Sequence, residues 1–362
     1  MIRRCLLAFS LLILVPLPAF AHDVSIDTSA ARAVLDALGN SSLDEANALR
    51  IAKLPGNQKM IQKGANFSKA SSDARFVEEL LSAARGSLPD GEPVFHFTKI
   101  KENSQGIART LTDLEQRQSE HVRWVNERVT SFSPPGAPLK LSGFVIAGGC
   151  CTGFAFGGND FYLNIAHFPD DMDAARASLA HELYHAVQGA AVSALGNQID
   201  FSPERYAALR TRAARDAMMV ERFLSNLLGE GTAILVGDPA ELKGEGRMSR
   251  FDRERLQAQQ KRMDRLATQL DLSLISLTAD QPIEYEKAYA LGFYGPDQPL
   301  YYLGYAMAKA ISDRKGNQRL GQMITGSGCA FTREYITLTA QDEKLPKLGD
   351  PTQRIVDQHC RA

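Results

Sequence analysis

The amino-acid sequence predicts a mainly α-helical protein, of class α+β, with one small antiparallel β element. Apolar residues recur at helical spacing along most of the 362 residues. Strand-like patterns are confined to one stretch, which runs from "LSGFVIAGG" to "FYLNIA". The segment "SFSPPGAPL" separates that stretch from the helices before it, because its prolines and glycine interrupt regular structure.

The helical part before this break covers residues 22–130. It includes "TSAARAVLDAL", which has an apolar stripe, and "SSDARFVEELLSAARG", which opens with a Ser/Asp cap and ends at Gly86. In the β stretch, "TGFAF" and "FYLNIA" flank "GGND", a sequence typical of a hairpin turn. Helical patterns then resume.

No repeat, low-complexity block or linker divides the chain further. We therefore expect residues 22–362 to form a single domain, with a core segment at 140–316 and a C-terminal segment at 317–362.

Residues 1–21 have the features of a secretory signal peptide. A basic "MIRR" precedes the apolar run "CLLAFSLLILVPLPAF", and Ala19-Phe20-Ala21 fits the small-x-small cleavage pattern. A membrane anchor is the alternative, but the run is short for a span and contains prolines near its end. We therefore expect cleavage after Ala21, export to the periplasm or the medium, and no stable membrane span afterwards.

The charge pattern gives no support to a nucleic-acid partner. The formal net charge is −1, so no basic excess is available for phosphate contacts. The most charged helical stretch, "RERLQAQQKRMDRLATQL", has Asp252, Glu254 and Asp264 interleaved with its arginines, which is typical of a solvated helix face. Nothing in the sequence specifies the oligomeric state.

Four cysteines remain after removal of Cys5: Cys150, Cys151, Cys329 and Cys360. An even number in an exported protein favours disulfides. Adjacent Cα atoms lie closer than a disulfide normally allows, so we expect Cys150 and Cys151 each to pair with one of the other two. Which cysteine pairs with which stays open, and export argues against a four-cysteine zinc site.

The stretch "SLAHELYHAVQGA" carries the main functional signal. His181 and His185 are four residues apart, so on a helix they share a face and can direct one nitrogen each at a Zn²⁺ ion. Glu182 points to a neighbouring sector, where it can reach a water without being a ligand. Asp170 or Asp171 would cap this helix. The alternative is a polar helix face whose histidines are satisfied by hydrogen bonds.

A catalytic zinc site needs a third protein ligand. The extended pattern HExxHxxGxxH is absent, since "AVQGAAVSAL" follows His185 and the next histidine is His359. Glu230 in "NLLGEGTAILVG" is the candidate, because a carboxylate among apolar and small residues is costly to bury unless it is paired or bound to metal. A solvent-facing glutamate is the alternative.

The "HELYH" and "GEG" motifs together resemble the gluzincin-type zinc metallopeptidases, and most closely the bacterial zinc-dependent peptidases with HExxH and a later glutamate helix. The matching part runs from the hairpin to "YYLGYAMAKAI", about half of the chain. The resemblance implies a helical zincin-like domain with residues 140–316 as its catalytic core, and hydrolysis of a peptide or protein substrate. It also implies that an edge strand, here within "GFAFGGNDFYLNIA", binds the substrate backbone.

This hypothesis assigns a role to each residue. His181, His185 and Glu230 would hold Zn²⁺, which lowers the pKa of water, and Glu182 would act as general base and return the proton to the leaving amine. The oxyanion needs another donor. "PLYYLGYAMAKAI" offers Tyr301, Tyr302 and Tyr305, of which we expect Tyr305 first and Tyr302 second.

Two other classes of function stay open. One is a non-catalytic zinc-binding or scaffold protein that retains the HExxH helix. The other is a metal-free helical domain, because roughly one chain in a hundred of this length carries HExxH by chance. Zinc content distinguishes a metal-free domain from a zinc-binding protein, and peptide hydrolysis distinguishes a peptidase from both.

Overall fold

The computed structural model describes residues 22–136, 139–196, 198–294 and 298–360. The predicted signal peptide, residues 1–21, lies outside these ranges. Among the helices within them, none has the length and hydrophobicity that crossing a membrane requires.

Most of the N-terminal part predicted as helical, residues 22–130, is helical, but it begins with a strand at Asp23–Asp27. Ser72 caps one of its helices by accepting a hydrogen bond from the Arg75 amide, and Gly86 ends that helix in the left-handed region with φ 77°. The side chains of Phe76, Phe95 and Phe97 pack edge-to-face and stacked in its core. The helices are α1 (Ser29–Leu38), α2 (Glu45–Ala52), α3 (Pro55–Gly64), α4 (Asp73–Arg85), α5 (Phe97–Glu102), α6 (Ser104–Gln116) and α7 (Gln118–Ser131).

The β element is a four-stranded mixed sheet, and the prediction of an antiparallel one is correct only for the hairpin. Its strands are β1 (Asp23–Asp27), β2 (Lys140–Ile146), β3 (Gly153–Ala155) and β4 (Asp160–Asn164), in the order β1-β2-β4-β3. Both β1 with β2 and β2 with β4 pair in parallel, and only β3 with β4 is antiparallel. The parallel pairing of β1 was missed because its partner lies beyond seven helices, whereas a hairpin is read from local sequence.

The helix that carries "HELYH" is α8 (Met172–Ala194), and it packs on β3 and β4. Asp171 caps it by accepting a hydrogen bond from the Ala174 amide at 3.3 Å. Its alanines allow this close packing, and Gly189 is needed because a Cβ there would lie 2.5 Å from the Gly157 carbonyl oxygen of the β3–β4 turn. The sheet and α8 therefore form one rigid unit.

The remaining helices pack around α10, which contacts α8, α12, α14 and α16. Only Gly231 and Gly304 allow α10 and α14 to cross as closely as they do, since a Cβ on Gly231 would lie 2.2 Å from the Gly304 carbonyl carbon. These helices are α9 (Pro203–Ala208), α10 (Arg212–Val236), α11 (Arg247–Gln260), α12 (Met263–Thr278), α13 (Tyr285–Phe293), α14 (Pro299–Lys315), α15 (Asn317–Met323), α16 (Gly328–Gln341) and α17 (Asp350–His359); the short 3-10 turns are Ile165–His167 and Pro239–Glu241.

The cysteine pairing differs from the prediction. Cys329 and Cys360 form a disulfide with a Cα–Cα distance of 5.4 Å. Cys150 and Cys151 are free thiols whose sulfurs are 2.7 Å apart in the loop between β2 and β3. The physical reason is that α16 and α17 pack against each other and bring their cysteines together. The C-terminal segment is thus closed on itself rather than tied to the strands.

Candidate metal centre

Two helices bring three metal-ligand side chains together. On α8, His181 and His185 are one turn apart, and their Nε2 atoms are 3.0 Å from each other. From α10, Oε2 of Glu230 lies 3.7 Å from Nε2 of His181 and 3.2 Å from Nε2 of His185. One ligand atom from each of the three residues lies within 4.8 Å of the other two. The structure therefore places the three predicted ligands at a single point.

The chemistry of this cluster fits a zinc ion. Oε2 of Glu230 is buried and accepts no hydrogen bond of good geometry from the described residues. A buried carboxylate oxygen without a donor is costly, and a cation among the three ligand atoms would remove that cost. Two imidazole nitrogens and one carboxylate oxygen are also a donor set that zinc accepts, with a further coordination position left open.

The His185 imidazole is held in orientation by a hydrogen-bonded group on the side that faces away from the metal-ligand cluster. Nδ1 of His185 lies 2.8 Å from Oε1 of Gln188, whose amide nitrogen donates to the Gly229 carbonyl oxygen and to Thr232 Oγ1, each at 2.9 Å. Partners of this kind fix the orientation of a ligating imidazole and are typical of metal sites. They also tie α8 directly to α10.

The ionisable side chains of the cluster shift one another's pKa values. Burial lowers the pKa of His181 to about 3, and the neighbouring His185 lowers it further. Burial also disfavours the charged form of His185, but Glu230 and Glu182 outweigh it and raise its pKa to about 9. For Glu230, burial is outweighed by His185, His181 and the hydroxyl of Tyr301, which hold its pKa below its ordinary value. Glu230 is therefore a carboxylate and His185 carries a proton, which a zinc ion would displace because a ligating imidazole is neutral.

Glu182 lies against the edge strand of the sheet. It is buried, and a Cβ on Gly153 of β3 would lie 2.5 Å from its Cγ and 2.6 Å from its Oε1. Burial raises the pKa of Glu182 to about 7, although His185 and Lys63 oppose the shift. The absence of a side chain at Gly153 is what lets this carboxylate stand between the metal-ligand cluster and β3.

A cleft of about 760 Å³ opens above the cluster. The edge strand β3 forms one wall, together with Lys63 and Cys151, and helix α11 contributes to another. Aromatic side chains from α13 and α14 also line the cleft, namely Tyr289, Phe293, Tyr301 and Tyr302. The volume is that of a site that takes a peptide-sized or drug-sized ligand.

The tyrosine expected first at the site lies elsewhere. Tyr305 is buried and donates a hydrogen bond to Asp238 Oδ1 at 2.9 Å, and it is not among the residues that line the cleft. Tyr302 does line the cleft but stacks near Arg255. Tyr301 also lines the cleft, and its hydroxyl is close enough to Glu230 to lower the pKa of that carboxylate. The helix face was misassigned because only the crossing of α14 over α10 decides which tyrosine meets Glu230.

The prediction of a solvated face is correct for Glu254, which is exposed, but not for the whole of α11. Its alternating charges predicted a solvated face, yet Asp252 and Arg255 line the cleft with Met248 and Phe251. The spacing of Met248, Phe251, Asp252 and Arg255, three and four residues apart, was the available signal for a shared face. It was overridden by the charge pattern of the whole stretch.

A mainly helical fold with HExxH on one helix and, on a later helix, a glutamate that meets both histidines defines a class, the zinc metallopeptidases with a His₂Glu ligand set. Residues 49–344 match the family DUF5700, described as "Putative zinc dependent peptidase". The chain belongs to this family of zinc-dependent peptidases, which is the group that the two motifs resembled. No curated protein and no solved structure matched the chain.

Proposed function

We propose that this chain is an exported zinc peptidase whose metal is held by His181, His185 and Glu230. One observation carries the proposal: the ligand atoms of these residues lie within 4.8 Å of one another, around a buried Glu230 oxygen that accepts no hydrogen bond of good geometry from the described residues. When bound there, zinc supplies Lewis-acid chemistry that polarises a carbonyl and acidifies water.

Glu182 is the proposed general base. It follows the first histidine on α8 but points to another sector, against Gly153, so it is free to exchange a proton. Its carboxylate accepts a proton from the attacking water and returns it to the nitrogen of the departing amine. The close contact with β3 places this proton transfer beside the strand that the substrate would follow.

Tyr301 is the proposed donor to the oxyanion, in place of Tyr305. Tyr301 lines the cleft that holds the metal-ligand cluster, whereas Tyr305 lies outside that lining and donates its hydroxyl to Asp238. A donor near the reacting carbonyl stabilises the charge that develops on its oxygen. Tyr302 also lines the cleft and stays the second candidate.

The substrate backbone is proposed to add to β3. This strand is at the edge of the sheet, and the Asn164 amide donates to the Thr152 carbonyl oxygen at 2.9 Å. In an antiparallel ladder the bonded pairs alternate, so the backbone groups of Gly153 and Ala155 face the free edge. An extended peptide can pair with such an edge by β-augmentation.

Export rests on the signal-peptide features of residues 1–21.

The test is a comparison of wild-type protein with Glu182→Gln. Both are expected to contain about one zinc per chain, and only the wild type is expected to cleave members of a peptide library, because the variant lacks the proton acceptor. Zinc in both proteins with no cleavage by either would support a non-catalytic zinc-binding protein. Protein without zinc would reject the metal site itself.

A further inference from the structure

Helix α11 is fixed as a wall of the cleft by contacts with the start of α8. Asp171, the cap of α8, accepts hydrogen bonds from the Ser249 amide at 2.8 Å and from Ser249 Oγ at 2.6 Å. Asp173 accepts from the amides of Lys243 and Gly244 at 2.7 and 2.8 Å. The loop before α11 and its first turn are therefore anchored to the helix that carries both histidines.

Arg255 on this wall has donors without acceptors. Its Nε and Nη2 atoms are buried and donate no hydrogen bond within the part of the chain that the structure describes. The guanidinium is positioned by aromatic rings, with its Cζ 5.4 Å from the centre of Tyr302 and 5.7 Å from that of Phe251. A buried guanidinium that is held in place but lacks acceptors is suited to receive them from a ligand.

Other arginines nearby are partnered. Arg253, two residues earlier on α11, donates to the carbonyl oxygens of Leu242 and Gly244 at 3.2 and 2.6 Å. Arg176 also has a buried Nε without an acceptor, but its Nη2 is paired with Asp173 at 3.3 Å. The missing acceptors are thus a property of Arg255, not of arginines on this side of the molecule in general.

Asp252, on the same helix, is an acidic group that could accept hydrogen bonds from Arg255, but it does not. It lines the same cleft, but the buried Nε and Nη2 of Arg255 donate no hydrogen bond to it or to any other described residue. Burial raises the pKa of Asp252 to about 6, Asp171 adds to the effect and Arg255 only opposes it. A tight ion pair would lower that pKa. The charge of Arg255 is therefore available to a ligand.

We propose that Arg255 forms a subsite for a carboxylate of the substrate, so that the peptidase prefers peptides that present a carboxylate at this position; this rests on the proposed function. The planar guanidinium matches a carboxylate with two parallel hydrogen bonds. The carboxylate can be an Asp or Glu side chain or the C-terminus of the peptide. Lys63 on α3, at the β3 wall, is the lysine among the described residues that line the cleft, and it gives a second position to compare.

The experiment uses three peptides of one sequence on the full mature protein loaded with zinc. One has an internal Glu and an amidated C-terminus, one has Gln and a free C-terminus, and one has Gln and an amide. For one of the first two, kcat/KM is expected to exceed that of the third at least about tenfold, since hydrogen bonds to charged groups are strong. The preferred peptide identifies the source of the carboxylate.

Variants of Arg255 and Lys63 test which residue causes the preference for a carboxylate. In Arg255→Gln the ratio is expected to fall to about one, and in Arg255→Lys to fall in part, because lysine keeps the charge but not the paired donors. Arg250→Gln removes a charge from an exposed position of the same helix and should keep the ratio. A ratio that persists in Arg255→Gln but is lost in Lys63→Gln would overturn the assignment, and so would equal cleavage of all three peptides by the wild type.

Failure of the proposed function is detected separately by binding. Zinc-loaded Glu182→Gln protein is titrated calorimetrically with the same three peptides. Tighter binding of a carboxylate peptide that is lost in Glu182→Gln/Arg255→Gln supports the subsite even if no peptide is cleaved by the wild type. Equal binding of all three peptides to both proteins rejects the subsite, whatever the wild type cleaves.

Discussion

Gly231 on α10 and Gly304 on α14 are in direct backbone contact. A Cβ on Gly231 would lie 2.2 Å from the Gly304 carbonyl carbon, and one on Gly304 would lie 2.5 Å from the Leu227 carbonyl oxygen. Glu230 precedes the first glycine by one residue and Tyr301 precedes the second by three. This helix crossing is therefore what brings Tyr301 to the Glu230 carboxylate.

Gly231→Ala is expected to separate the two helices and to weaken the metal site. The new methyl group has no space between two backbones, so we expect a loss of about 3 kcal/mol in the free energy of unfolding, as for an overpacked core. Zinc affinity should fall at the same time, because Glu230 moves with α10. Thermal unfolding with and without zinc measures both effects.

Gly229→Ala is the matched control on the other side of Glu230. Its Cβ would have only Gln188 Oε1 as a neighbour, at 3.8 Å, which is ordinary contact. Since alanine is the better helix former by about 1 kcal/mol, this variant should be as stable as the wild type or more so. Equal stability of the two alanine variants would contradict the account of the crossing.

Gly153→Ala is expected to lower kcat with little loss of zinc. A methyl group there would displace the carboxylate of Glu182, which it would approach to 2.6 Å, and a misplaced base costs about a hundredfold in rate. Gly158→Ala in the same hairpin meets nothing within 4 Å and serves as control. Rates and zinc content for both variants check this; a fully active Gly153→Ala protein would exclude the proposed role of Glu182.

The disulfide should contribute to stability, whereas the adjacent cysteines should not. Cys329 and Cys360 enclose a loop with a sequence separation of 31, for which loop closure gives about 3.7 kcal/mol. Replacing both by alanine should lower the unfolding temperature by several degrees. The pair Cys150 and Cys151, changed in the same way, should leave it nearly unchanged. Thiol titration of the unfolded, unreduced protein should find Cys150 and Cys151 reactive but Cys329 and Cys360 blocked.

Asp252→Asn should stabilise the protein at neutral pH but not in acid. The pKa of Asp252 is raised to about 6, mainly by burial, so its charged form is disfavoured in the folded state. The wild type thus loses stability as pH rises from about 4 through 6, and the variant does not. We expect the variant to be more stable by about 1 kcal/mol at about pH 7.5 and equal at about pH 4.

Glu254→Gln on the same helix is the control for that comparison. Glu254 is exposed, so its replacement should change the unfolding temperature little at either pH. A stabilisation by Asp252→Asn that is the same at both pH values would mean that packing, and not charge, is responsible.

The parts of this molecule that local sequence determines were predictable. The Asp171 cap, the helical spacing of His181 and His185, and the hairpin at "GGND" each depend on a few neighbouring residues. Glu230 was also found, since a carboxylate between two glycines in an apolar run implies a partner. These signals gave the fold class, the family and the three clustered residues.

The parts of the structure that depend on how distant helices cross were not predictable from the sequence. Tyr301 rather than Tyr305 meets Glu230 because of the contact between Gly231 and Gly304, which no local pattern specifies. Arg255 faces the cleft because Asp171 binds the first turn of α11. The disulfide follows from the packing of α16 on α17. The parallel pairing of β1 with β2 could not be predicted because seven helices separate the two strands in the sequence.

The central claim is that Glu230 completes a zinc site with His181 and His185. Its most direct test is the zinc affinity of Glu230→Gln, measured by competition with a chromogenic chelator beside the wild type. Since loss of an outer-shell partner already costs 10- to 100-fold, loss of this ligand should weaken binding by at least about a hundredfold. An affinity equal to that of the wild type would show that the third ligand lies elsewhere.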